Sequence, residues 1–205
     1  MAVIIIQVIA AAIFLAGTIA LGIAIRRAPE KNVAERASRI SHLLYWSCLV
    51  LPGLASLFYP GLSHYDQILG VPSIPWRAAM LVVGLLSLLV GLGFLISSNH
   101  SLIRLGRGTA AFLLTKQIVR ERLYQRTRNP MSLGYYLACV GAGLLAGSTT
   151  VTLGALLVII PIHMLNLRYF EERELELRYG KPYIEYKQRV PFLFPWRPLR
   201  GKERA

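Results

Sequence analysis

The polarity of the chain alternates in long blocks. Apolar runs cover Val3–Ile25, about Ile40 to Tyr59, Trp76–Ser98, Met131 to Ala146 and Val151–Leu167. A hydrocarbon layer about 30 Å thick takes about 20 helical residues to cross. The first three runs reach that length. The last two are shorter, and only Gly147, Ser148, Thr149 and Thr150 separate them, so residues 131–167 predict a tight helical hairpin. The pattern predicts an all-α integral membrane protein with about five transmembrane helices and short cytoplasmic helices. The first run carries its basic residues after the apolar stretch, at Arg26 and Arg27, the reverse of a signal peptide.

Composition agrees with the pattern. Of 205 residues, 55% are hydrophobic and 16% charged, which leaves too little polar surface for a soluble domain. The net charge of +13 sorts along the chain. Residues 26–39 hold five Lys or Arg and residues 99–130 hold seven, while residues 168–205 hold ten. Between them, residues 60–77 hold only Arg77, and residues 147–150 hold none. Alternate loops are therefore basic, and the positive-inside rule predicts an outside N-terminus and a cytoplasmic C-terminus. The pattern predicts a multi-pass chain of a bacterial or archaeal inner membrane, or of the endoplasmic reticulum if eukaryotic. The charge matches anionic lipid better than nucleic acid, because no aromatic and basic binding platform accompanies it.

Cys48 and Cys139 lie in apolar runs and read as buried thiols. His42, His64, His100 and His163 show no ligand spacing and read as structural, so no metal is expected. A charge at mid-bilayer costs about 2.5–3.5 kcal/mol, and no charged residue lies well inside a run. Polar chemistry is thus expected on the cytoplasmic side, in residues 99–130 and 168–205.

Residues 168–190 predict a charged helix that continues out of the membrane. Gly180 stops it and Pro182 sits in the first turn of a new short helix, which places Tyr183 and Tyr186 on one face. Val190–Pro191 ends that helix. Acid at 171–176 opposes the surrounding positive field, so it needs arginine partners or a cationic ligand. In residues 104–130, Gly106, Gly108 and Thr109 suggest a flexible turn, and Lys116–Val119 an interfacial stretch. Pro130 suits the first position of a helix. It turns Arg128 and Asn129 into a fixed polar elbow whose free backbone N–H groups favour an anion. A headgroup-contacting cap and a ligand site are both compatible with that elbow.

These two segments resemble the isoprenylcysteine carboxyl methyltransferase and phospholipid methyltransferase families. The first element is Tyr124, Arg128, Asn129 and Pro130. The second is Glu171, Glu172, Leu175, Tyr179, Gly180, Tyr183, Tyr186, Val190 and Pro191. The likeness spans about residues 80–196. The apolar runs predict a single membrane domain over residues 1–205 with three spans in 1–98, and the resemblance implies a cofactor-binding catalytic half in 99–205. It implies S-adenosylmethionine as methyl donor and a lipophilic acceptor: an isoprenylcysteine-type carboxylate, a phospholipid or a related molecule. By resemblance, Lys116, Gln117, Ile118, Val119, Tyr124, Asn129, Pro130, Met131 and Ser132 line the donor, and Glu171 with Arg168 faces the reacting centre. The donor's carboxylate suits Arg128 or Asn129, its ammonium and ribose suit Glu171 or Glu172, and its sulfonium suits the face of Tyr124. No residue stands out in the sequence as a general base, which favours an acceptor that needs none. Two other readings compete: a nicotinamide-dependent membrane reductase of the steroid or sterol type, and a lipid-binding scaffold without catalysis.

Overall fold

The computed structural model describes residues 1–108 and 114–194. Among these every regular element is helical. Helix α1 is Ala2–Arg27 and α2 is Lys31–Phe58, with a π-helical turn at Trp46–Val50. A short α3, His64–Leu69, precedes α4, Arg77–Gly106. Helix α5 is Pro130–Ala146, and α6 runs unbroken as Thr149–Tyr179 through π-helical turns at Ala155–Ile159 and Asn166–Glu171. Helix α7 is Lys181–Arg189.

Four of these helices, α1, α2, α4 and α6, are long and apolar enough to cross a membrane. The fourth predicted run forms α5 with only 17 residues, about 25 Å at 1.5 Å per residue. The other apolar runs mark only part of each helix. Helix α2 begins at Lys31 rather than near Ile40, α4 continues past Ser98, and α6 continues twelve residues past Leu167. Hydropathy registers where lipid is, whereas Glu, Arg and Leu keep a helix going after the apolar side chains stop. At about 46 Å, α6 is longer than a hydrocarbon layer is thick, and its acidic residues lie in its C-terminal third.

Glycine brings α4 and α5 into close antiparallel contact. Gly84 faces Gly141, and Gly91 faces Gly134. A Cβ on Gly91 would lie 2.7 Å from the Gly134 carbonyl oxygen, and one on Gly134 would lie 2.6 Å from the Gly91 carbonyl oxygen. Small residues let helices touch through their backbones, where lipid supplies no hydrophobic drive for association.

The loop between α2 and α4 clamps the hairpin turn. Arg77, at the loop's end and first in α4, donates to the carbonyls of Leu144 and Leu145 at the end of α5, at 3.1 and 2.7 Å. The loop's single acid, Asp66, accepts from the Ser148 hydroxyl and the Thr149 and Thr150 amides at 3.0, 2.9 and 2.8 Å. Each charge meets the helix end whose dipole it complements. Gly147 makes the turn itself, with φ of +68°.

Candidate functional site

The elbow forms as its sequence predicts. Pro130 occupies the first turn of α5, and Asn129 is its N-cap residue. The Asn129 side chain does not cap the helix, however. Its Nδ2 donates to the Phe192 carbonyl at 3.0 Å, the Thr127 hydroxyl reaches the same oxygen at 3.3 Å, and the Arg128 amide donates to the Pro191 carbonyl at 2.9 Å. Tyr186 on α7 donates to the Tyr124 carbonyl at 2.7 Å. Two segments about sixty residues apart are thus stitched together through backbone groups, which fixes the elbow more firmly than a cap alone.

The second segment also folds as read. Gly180, at φ +61°, stops α6, and α7 starts one residue later with Pro182 in its first turn. Tyr183 and Tyr186 are both buried on the inner face of α7. Upstream, Arg178 Nη2 and the Tyr179 hydroxyl each donate to the Thr115 carbonyl at 2.6 Å, and Thr115 leads directly into the 116–119 stretch.

Most of the acidic cluster is matched by internal cations. Arg128 meets Glu172 at 2.7 Å with 10% and 11% of the two side chains exposed. Lys187 contacts Glu172 at 2.7 Å and Glu176 at 3.1 Å. Arg173 meets Glu176 at 3.2 Å, and Arg178 meets the deeply buried Glu174 at 2.8 Å. Glu171 is the exception. Its carboxylate has no hydrogen bond or ion pair among the described residues, and it borders a cavity of about 200 Å³. A carboxyl group on a cavity wall without a hydrogen-bond partner is unexplained by packing alone.

Of the sequence-predicted residues, Gln117, Ile118, Val119, Tyr124, Arg128, Asn129, Met131, Ser132 and Glu171 border that cavity. Four do not. The guanidinium of Arg168 lies 4.2 Å from the centre of the Phe192 ring. Pro130 is enclosed at the elbow, Glu172 is held by Arg128 and Lys187, and Lys116 stands off the wall. Thr109 and the 110–113 stretch lie outside the described residues. No group of three or more His, Cys, Asp or Glu side chains gathers among the described residues.

The sequence reading missed an entire wall. Ser38, Ser41, His42 and Tyr45 line the cavity from α2, opposite the α6 residues His163, Asn166 and Glu171. Asn166 Nδ2 donates to Thr18 Oγ1 at 2.9 Å and to Ser41 Oγ at 3.2 Å, which ties α1, α2 and α6 together beside the cavity. The signal was present as polar side chains at 38, 41, 42 and 45, the spacing of one helix face.

The sequence model of one protein family, Phospholipid methyltransferase, matches residues 79–182. That span begins in α4 and ends in the first turn of α7, so it contains the elbow, Glu171 and the 114–119 stretch. No curated protein and no solved structure matches the chain. The match covers just over half of the 205 residues, and the chain belongs to the phospholipid methyltransferase family.

Proposed function

We propose that the chain transfers a methyl group from S-adenosylmethionine to a lipophilic acceptor that enters from the membrane. Family membership supports methyl transfer to a lipid-type acceptor. It lends no support to the nicotinamide reductase reading. The observation that carries the donor assignment is Glu171, an unpartnered carboxylate on the wall of a cavity built jointly by the elbow and α6.

The residues present fit a zwitterionic donor. Arg128 Nε is buried without a hydrogen-bond acceptor and Arg128 borders the cavity, so a carboxylate has a donor to meet. Glu171 offers the opposite charge to an ammonium group or a ribose diol. Gln117–Val119 and Met131–Ser132 form walls around them, with Tyr124 presenting an aromatic face suited to a sulfonium. When bound, this donor supplies an electrophilic methyl group on sulfur. The chain's own work is to align the acceptor with that methyl and to exclude water.

Acceptor access through the bilayer is part of this reading, and the apolar outer surfaces of the spans support it. Leu85, Leu86, Leu89 and Val90 on α4, and Leu156 and Leu157 on α6, are exposed, as lipid-facing residues must be. We place the cavity at the cytoplasmic end of the spans, an orientation supported by the basic residues at 26–39 and 99–130. The test is incubation of detergent-purified protein with methyl-labelled donor and total lipid extract. Label is expected in a chloroform-soluble product. Label confined to water-soluble products would contradict the lipophilic acceptor.

A further inference from the structure

We propose that His42, on the wall contributed by α2, is the general base that takes a proton from the methyl acceptor. The proposal rests on the methyl-transfer reading and deepens it, because it names the acceptor as a nucleophile that carries a proton, such as an amine or a hydroxyl. It also gives the N-terminal half a chemical task, since His42 lies outside residues 79–182.

Geometry fixes the tautomer of the neutral ring. Nδ1 of His42 lies 2.8 Å from the Ser38 carbonyl, which can only accept, so Nδ1 holds the hydrogen and donates. In the neutral ring the lone pair then sits on Nε2. That atom has no hydrogen-bond partner among the described residues, and the side chain borders the same cavity as Glu171. Such an arrangement is that of a base whose tautomer is set by its other nitrogen. The neighbouring residue Ser41 is held by Asn166, so the helix face bearing His42 is anchored to α6.

The cavity's other imidazole is already committed. His163 Nδ1 pairs with the Tyr136 hydroxyl at 2.9 Å, and its ring packs among Phe14, Tyr45, Tyr135 and Tyr136. Glu171 is assigned to the donor. The charged and titratable groups that share the cavity with His42 are Glu171, Glu174, Arg178, Tyr179 and His163 on α6, Tyr124 and Arg128 ahead of α5, Tyr183 and Tyr186 on α7, and Tyr45 on its own helix.

The step balances without another reagent. The Nε2 lone pair takes the proton from the acceptor atom. The acceptor's freed electron pair forms the new bond to the methyl carbon, while the carbon–sulfur bond breaks with its pair going to sulfur. The proton on imidazole then leaves to water.

The test uses the full-length chain in detergent with methyl-labelled S-adenosylmethionine and total lipid extract. Transferred label is expected to survive mild alkali, which releases methyl esters but not N-methyl or O-methyl ether groups. Replacing His42 by Gln is expected to slow transfer at least about 100-fold, the low end of general-base contributions. Donor affinity by calorimetry is expected to stay within about threefold. Added imidazole is expected to restore part of the rate to His42→Ala. A readout independent of turnover is carbethoxylation by diethyl pyrocarbonate, which needs an unprotonated, accessible ring nitrogen: His42 is expected to react and His163 to be protected. Alkali-labile label, a His42→Gln rate within about threefold of the parent, donor affinity that falls in step with the rate, or a His42 that resists the reagent each overturns the proposal. Absence of donor binding in every variant, parent included, instead overturns the methyl-transfer reading beneath it.

Discussion

Arg128 and Glu172 stand 2.7 Å apart across the joint between the elbow and α6, with about a tenth of each side chain exposed. Forty-four residues separate them in sequence. The pair holds two chain segments in register at the cavity and leaves the adjacent Glu171 free. Glu172 is doubly held, by Arg128 and Lys187, whereas Glu171 has no such partner.

Removal of one member of this pair should destabilise more than removal of both. Arg128→Met leaves Glu172 nearly buried with Lys187 as its remaining cation, and a loss of about 3 kcal/mol is expected, the low end for a broken buried pair. Arg128→Met combined with Glu172→Met should recover part of that loss. Chemical denaturation of the detergent-solubilised single and double variants measures both.

Glu171→Gln should separate stability from binding. A carboxylate without a partner contributes nothing to the fold, so the melting temperature should hold or rise. A charge-assisted hydrogen bond to the donor is worth about 1.5–3 kcal/mol, so S-adenosylmethionine affinity should fall roughly 10-fold to 100-fold. Calorimetry beside a thermal melt reads both quantities on one sample.

Gly91→Ala and Gly93→Ala lie two residues apart on α4 and should differ sharply. A Cβ at 91 would lie 2.7 Å from both the Ala138 amide nitrogen and the Gly134 carbonyl oxygen, and the α5 backbone there cannot yield as a side chain would. A cost of about 1–3 kcal/mol is expected for this overpacking. A Cβ at 93 meets nothing within 4 Å, so the change there should be neutral or gain up to about 1 kcal/mol of helix propensity. Unfolding of the two variants in parallel is the check.

Asp66 makes stability depend on acid pH. Burial pushes its carboxyl up, but the hydrogen bonds from Thr150, Thr149 and Ser148 outweigh that and hold it below the usual carboxylate range. A depressed value in the folded state means that the contribution is complete above the ordinary value of about 3.9. It is lost as pH falls through the folded value. The parent should therefore lose more stability than Asp66→Asn as the pH is lowered below about 4. Melting curves taken in parallel from pH 6 downwards measure the difference.

The helical architecture and both polar segments were legible in the sequence, because glycine and proline punctuate backbone regardless of what surrounds them. Pro130, Gly180 and Pro182 each act where their restricted or permissive φ predicts. Helix ends elsewhere were not legible. Lys31 and Tyr179 lie beyond the apolar runs, in residues that favour helix without favouring lipid. Within the site, Arg128 was read as ready for an anion, yet one side of it is taken by Glu172. The wall formed by Ser38, Ser41, His42 and Tyr45 escaped because facing elements decide whether a polar stripe lines a cavity, and nothing local to α2 encodes Asn166 or Glu171 opposite.

The most direct measurement is a calorimetric titration of the intact, detergent-purified chain with S-adenosylmethionine, run on the parent and on Glu171→Gln. Saturable binding near one molecule per chain, weakened by the substitution, is the predicted result. Affinity unchanged by the substitution would contradict the assignment of Glu171, and no heat and no thermal shift with the parent would contradict the cavity as the donor site.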